Sequence, residues 1–101
     1  MNERSVLSLL RSGQVLFRYP LKVCYREGSG DFGVSVPKRN FKRAVRRNLL
    51  KRRMREAWRC SGGPQVAGGL DVFIYYVGKE LEDYERIEKS VAQILDDLAS
   101  R

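Results

Sequence analysis

Residues 38–60 read KRNFKRAVRRNLLKRRMREAWRC, and the organisation of the whole chain turns on this segment. From Phe41 to Cys60 it contains neither Gly nor Pro and is dense in Arg, Lys, Leu, Met and Ala, all good helix formers. On a helical wheel at about 100° per residue, Leu50, Met54, Ala57 and Trp58 form a compact apolar arc, spaced i, i+4, i+7, i+8 and suited to packing on a sheet. Asn48, Arg52, Arg55 and Arg59 lie at i, i+4, i+7, i+11 on a face turned away from that arc, with Lys51 flanking them. Arg43 and Arg47 fall nearer the apolar side. Phe41, Ala44 and Val45 project elsewhere, so the start of the helix is expected to be irregular or to pack on a different element.

Charge concentrates on the same segment. The 101 residues carry a net charge of +8, with 20 Lys and Arg against 12 Asp and Glu. Residues 38 to 59 hold 11 of those cations and one acid, Glu56, for a local charge of +10. Residues 1 to 37 carry +2, and residues 70 to 101 carry −4. An ordinary surface helix intersperses Glu among Lys because like charges at i, i+4 repel. Here Arg46, Arg47, Lys51, Arg52, Arg53, Arg55 and Arg59 crowd together, so a polyanionic partner that neutralises them is expected. Arginine outnumbers lysine in the second half, and its planar fork grips phosphate bidentately. Asn48 is a poor helix former, better explained by a hydrogen bond to a ligand or to the loop that leads into the helix.

Working outward, Val6, Leu9 and Leu10 share one face of a short helix that stops at Gly13. A further short strand is expected around Leu16 to Arg18. Leu21, Val23 and Tyr25 alternate with Lys22, Cys24 and Arg26 as a half-buried strand after Pro20. Gly28-Ser29-Gly30-Asp31 reads as a hairpin turn into a second strand built on Phe32, Val34 and Val36. Beyond the basic helix, residues 61 to 69 read as a flexible, uncharged linker. The run Val72 to Val77 then fits a central strand covered on both faces. Tyr84, Ile87, Val91, Ile94, Leu95 and Leu98 recur at helical spacing behind Asp83, a natural N-cap. The reading is a single α+β domain over residues 1–101, in the order α-β-β-β-α-β-α, with helices on a small, mostly antiparallel mixed sheet.

The same residues exclude much chemistry. There is no histidine, so no His-based triad, general base or metal ligand exists. Gly63 and Gly68 lack the Lys-Ser or Lys-Thr of a phosphate-binding loop. The pairs Glu82-Asp83 and Asp96-Asp97 sit on neighbouring helical positions that point apart. No catalytic or metal-ligating residue is therefore assigned. Cys24 and Cys60 show neither a disulfide framework nor a zinc spacing and suit idle thiols in a reducing cytoplasm. No signal peptide or membrane-length apolar run is visible. Composition alone leaves two kinds of partner open: nucleic acid, such as the RNA bound by a ribosomal or assembly protein, and an anionic membrane surface. The last is disfavoured because the core needs the helix's apolar arc.

Ser35-Val36-Pro37-Lys38, followed by Ala44-Val45-Arg46-Arg47-Asn48, Lys51-Arg52, Arg55-Glu56 and Arg59, resembles the "RNR" region of the bacterial ribonuclease P protein family. That pattern is S-V-x-K, then A-V-x-R-N-x-x-K-R-x-x-R-E-x-x-R, and it runs ungapped from Phe32 to Arg59. The resemblance implies a left-handed β-α-β crossover, as in the second domain of ribosomal protein S5. It implies a subunit without catalytic residues, whose partners are the catalytic ribonuclease P RNA and precursor tRNA. It implies no small-molecule substrate, no membrane and no cofactor on the protein, with Mg2+ required by the RNA. By position, Arg46, Arg47, Asn48, Lys51, Arg52, Arg55 and Arg59 carry over as the RNA-contacting row, which Lys38, Arg39 and Lys42 extend. Family members also hold the single-stranded 5′ leader in a cleft lined by aromatic residues. Here the first-helix cleft positions that are commonly Phe are Val6 and Leu10, so stacking is expected either to be weaker or to use Phe17, Tyr25 or Phe32 instead. The second Arg of the name-giving motif is Leu49.

Overall fold

The computed structural model describes residues 1–101 in the order α1 (Glu3–Ser12), β1 (Gln14–Arg18), β2 (Leu21–Glu27), β3 (Phe32–Ser35), α2 (Ala44–Cys60), α3 (Gly63–Val66), β4 (Leu70–Tyr76) and α4 (Tyr84–Ala99). The four strands form one sheet in the order β1-β2-β4-β3. The β1–β2 and β2–β4 pairs are antiparallel, and β3–β4 is parallel, with α2 in the crossover between its strands. The α+β class and the mixed, mostly antiparallel sheet agree with the sequence reading.

Strand alternation sorts the sheet into two faces. Leu21, Val23 and Tyr25 of β2 are paired with Tyr76, Ile74 and Val72 of β4, and all six are buried. Onto this face pack the apolar arc of α2 (Leu50, Met54, Ala57 and Trp58) and that of α4 (Ile87, Val91, Ile94, Leu95 and Leu98). Asp83 caps α4 by accepting the Arg86 N–H at 2.9 Å. On the opposite face α1 lies against β2 and β4 through Leu9, which is fully buried. The Cys24 thiol donates to the Leu9 carbonyl at 3.2 Å. Burial pushes this thiol up, against a smaller opposing pull from Arg26, which keeps it protonated as a donor.

Four expectations are corrected. Gly28–Asp31 is not a hairpin turn, because β4 inserts between β2 and β3; the loop instead crosses the end of β4. Asp71 of β4 holds it there, accepting the N–H groups of Ser29 (3.1 Å) and Asp31 (3.0 Å). The hairpin of the fold is β1–β2, turning at Tyr19-Pro20. Second, β4 is buried on one face only: Leu70, Val72, Ile74 and Tyr76 are core, whereas Asp71, Phe73 and Tyr75 are half-buried. Third, the basic helix starts at Ala44 rather than Phe41, its entry being irregular and packed on another element as the wheel predicts. The Phe41 ring is pulled into the core, edge-on to Tyr76 at 5.6 Å, which takes residues 38–43 off the helical path. Fourth, residues 61–69 are not a flexible linker. Gly62 turns the chain at φ +84°, Pro64 opens the single turn α3, and Ala67 is buried.

Two changes test these packing claims. A Cβ on Gly63 would fall inside the Trp58 indole, so Gly63→Ala should cost about 1–3 kcal/mol of stability in urea denaturation. The Asp31 N–H, helped by Ser29 and Arg26, holds the Asp71 carboxyl below its ordinary value of 3.8. Its stabilisation is therefore complete above that value and is lost as pH falls through the depressed one. Asp71→Asn should lower the urea midpoint at neutral pH and remove this part of the acid sensitivity.

Candidate RNA interface

Burying Leu50, Met54, Ala57 and Trp58 fixes the rotation of α2, and with it the direction of every cation on the helix. Arg46, Asn48, Arg52, Arg55 and Arg59 are exposed, as are Lys38, Arg39 and Lys42 in the preceding turn; Arg47 and Lys51 are half-buried. Only two ion pairs exist in the chain, Met1 N-terminus–Asp31 (3.4 Å) and Arg18–Asp97 (2.5 Å). Of 20 Lys and Arg side chains, Arg18 alone is paired with an acid, so the whole row on α2 is free of counter-charge within the protein.

Two arginines of the segment face inward for a reason the wheel does not show. The Arg47 guanidinium donates from Nη1 to the carbonyls of Phe41 and Lys42, both at 2.8 Å, and so braces the turn before α2. Arg53 donates to the Glu82 carbonyl at 2.6 Å and ties α2 to the loop before α4. Asn48, by contrast, is exposed and takes no part in bracing that turn.

A second feature lies on the α1 side of the sheet. Because α1 has only 10 residues, it leaves part of that face open as a cleft of ≈ 330 Å³. Leu10 and Arg39 line it together with Phe73 and Tyr75 of β4. The strand register sets Phe17, Lys22, Tyr75 and Ser35 side by side across all four strands. Lys22 Nζ stands 5.8 Å from the Tyr75 ring centroid, and the Phe73 and Tyr75 centroids are 5.9 Å apart. Phe17 is 53% exposed at the edge of this row.

The five cleft residues named from the sequence are therefore divided. Leu10 lines the cleft, Val6 sits one turn earlier on α1, and Phe17 shares the cleft's face of the sheet. Tyr25 and Phe32 belong to the other face. Tyr25 is buried and donates its hydroxyl to Gln14, while Phe32 stacks on Trp58 at 4.8 Å and 15°. The aromatics that do reach the cleft, Phe73 and Tyr75, were missed by reading residues 72–77 as one apolar run. Their parity against Val72, Ile74 and Tyr76 was the available signal.

No three His, Cys, Asp or Glu side chains come together in a way that could hold a metal ion. No helix is long and apolar enough to cross a membrane.

Fold and surface define a small basic α+β protein with one exposed cationic helix face and one open aromatic cleft. The sequence model of the Ribonuclease P family matches residues 3–99. The ribonuclease P protein component of Porphyromonas gingivalis is 33% identical over 97 residues, covering 82% of this chain and 69% of that protein. That of Thermotoga maritima is 33% identical over 88 residues, covering 84% and 74%. Among solved structures, the Thermotoga maritima RNase P protein in complex with 1-(4-fluorophenyl)-2-thiourea superposes with a TM-score of 0.77 at 26% identity, covering 91% of this chain and 92% of that one. The Staphylococcus aureus RNase P protein shares the fold, with a TM-score of 0.80 at 19% identity over 96% of this chain and 91% of that one. The chain belongs to the ribonuclease P protein family, whose members are the protein subunit of the bacterial ribonuclease P holoenzyme, an endoribonuclease of tRNA 5′ processing.

Arg47 braces the turn before α2 through contacts within the chain alone. Arg47→Ala should cost about 1 kcal/mol or more of stability in thermal or urea unfolding, whereas Arg52→Ala and Arg55→Ala should leave stability unchanged.

Proposed function

We propose that the exposed row on α2 docks ribonuclease P RNA and that the cleft beside α1 receives the single-stranded 5′ leader of precursor tRNA. The observation that carries this reading is the helix itself: its apolar side is consumed by the core, and its cations have no acidic partner in the chain. Arg52, Arg55 and Arg59 present guanidinium forks to backbone phosphates, with Asn48 and Lys51 beside them and Lys38, Arg39, Lys42 and Arg46 extending the track at the start of the helix. In the cleft, Tyr75 and Phe73 offer ring faces to unpaired bases and Leu10 forms the apolar wall, while Lys22 adds a charge near the Tyr75 ring. Such a platform tolerates different leader sequences, because every base has a stacking face.

No three His, Cys, Asp or Glu side chains are placed to hold a metal, and in this reading Mg2+ would be held by the RNA, where it would supply the activation of the attacking water. What the protein's own residues do is bind, orient and neutralise. Cations along the RNA lower the repulsion between two polyanions, the catalytic RNA and its substrate, that must come together. A bacterial cytoplasm is the compartment this role requires.

The test is cleavage of precursor tRNA by ribonuclease P RNA at low Mg2+. Adding the protein should restore accurate 5′ cleavage, and the protein alone should be inert; RNA binding without rescue would reduce it to a general RNA-binding module. About six phosphate contacts give a log–log salt slope of roughly −4 to −5, and a flat salt dependence would sink the electrostatic reading. Tyr75→Ala should weaken holoenzyme binding of substrate carrying a leader by about fivefold or more, and leave a leaderless substrate unaffected.

A further inference from the structure

A second cationic wall comes from a part of the chain whose local charge is negative. Residues 77–83 join β4 to α4, and Lys79 in this loop shares an open groove of ≈ 530 Å³ with Lys42, Arg43 and Arg46. None of these four cations is in an ion pair, and Glu80 is the one carboxylate in the lining. Asn40 lines both this groove and the aromatic cleft, so the two are contiguous around the turn before α2.

The groove is built rather than incidental, because Tyr76 anchors both of its walls. On one side the Tyr76 ring meets Phe41, whose carbonyl and that of Lys42 are held by Arg47. On the other, the Tyr76 hydroxyl donates to the Glu80 carbonyl at 2.6 Å and accepts the Glu82 N–H at 3.1 Å. Arg53 fixes the Glu82 carbonyl, and the Val77 N–H donates to the Pro20 carbonyl at 2.8 Å. Lys79 is thus presented from a backbone pinned on either side. Four cations against a single carboxylate leave a net positive field focused inside a concave site, and they repel one another until an anion enters.

We propose that this groove binds backbone phosphates of an RNA strand, with Lys79 as a contact that lies outside the helix-borne row. The proposal rests on the RNA-binding reading of α2 and extends its footprint onto a loop that nothing in the RNR motif covers. Lysine suits the place: a compact point charge on a flexible stem follows a phosphate without demanding a fixed bidentate geometry. The strand comes either from ribonuclease P RNA or from precursor tRNA, since both present the same phosphate chemistry.

The full-length protein distinguishes these sources. Lys79→Ala is compared with Lys89→Ala, which removes the same charge from an exposed site on α4. Binding to a ribonuclease P RNA transcript, and of precursor tRNA to the assembled holoenzyme, is measured across a salt titration. Lys79→Ala should weaken one of the two by about threefold or more and make its salt slope shallower by about one, with Lys79→Arg restoring both. The RNA affected identifies the strand in the groove. If Lys79→Ala matches Lys89→Ala for both RNAs while Arg52→Ala still loses affinity, the groove is overturned and the α2 reading stands. If Arg52→Ala also loses nothing, both fall.

Discussion

The seating of α2 is the constraint on which the other features depend. Its 17 residues include seven Lys or Arg and one Glu, so on its own the helix repels itself. Each like-charged i, i+4 pair costs a few tenths of a kcal/mol, on the order of 0.2–0.5, whereas each buried apolar side chain contributes roughly 1.5–3 kcal/mol. Leu50, Met54 and Trp58 therefore outweigh the repulsion, provided the sheet and α4 are there to receive them. The same seating turns Arg52, Arg55 and Arg59 outward along one side. Packing and the proposed RNA binding thus share one helix but use different residues of it.

The sheet performs a comparable division between its faces. One face is saturated by α2 and α4, and the aromatic residues there, Tyr25, Phe32 and Trp58, are committed to packing. The other is covered only by the short α1, whose Leu9 backbone carbonyl is latched to Cys24. The uncovered remainder becomes a cleft because β4, a central strand, still alternates and still places Phe73 and Tyr75 on that side. A longer α1 would bury these rings and close the site.

Polar pins at the two ends of β4 hold the loops that border the binding features. Asp71 at one end gathers the backbone of residues 29–31. Tyr76 at the other links the turn before α2 to the loop before α4, and burial pushes its phenol up to about 12, which keeps the hydroxyl a donor at any physiological pH. Neither residue carries a net positive charge, and neither belongs to the RNR motif. Both act by limiting where the cations can go.

The order of elements, the buried arc of α2, the apolar stripe and N-cap of α4 and the exposed Arg52, Arg55 and Arg59 were legible from residue spacing, because helical periodicity and like-charge crowding are local properties of a chain. Family resemblance added the partner. Strand pairing was not legible at Gly28–Asp31, where a turn sequence that suits a hairpin joins strands separated by β4; pairing is a long-range choice settled by what each strand's buried face meets. The inward roles of Arg47 and Arg53 were equally invisible, since an arginine's partner is a carbonyl that only folding brings near. The division of Tyr25 and Phe32 from Phe73 and Tyr75 was within reach of strand parity, yet which face stays open depends on how much of the sheet α1 covers. Sequence alone determined which residues are apolar, charged and periodic; the tertiary structure decided which cations and rings are left facing solvent, because exposure is what remains after packing has taken its share.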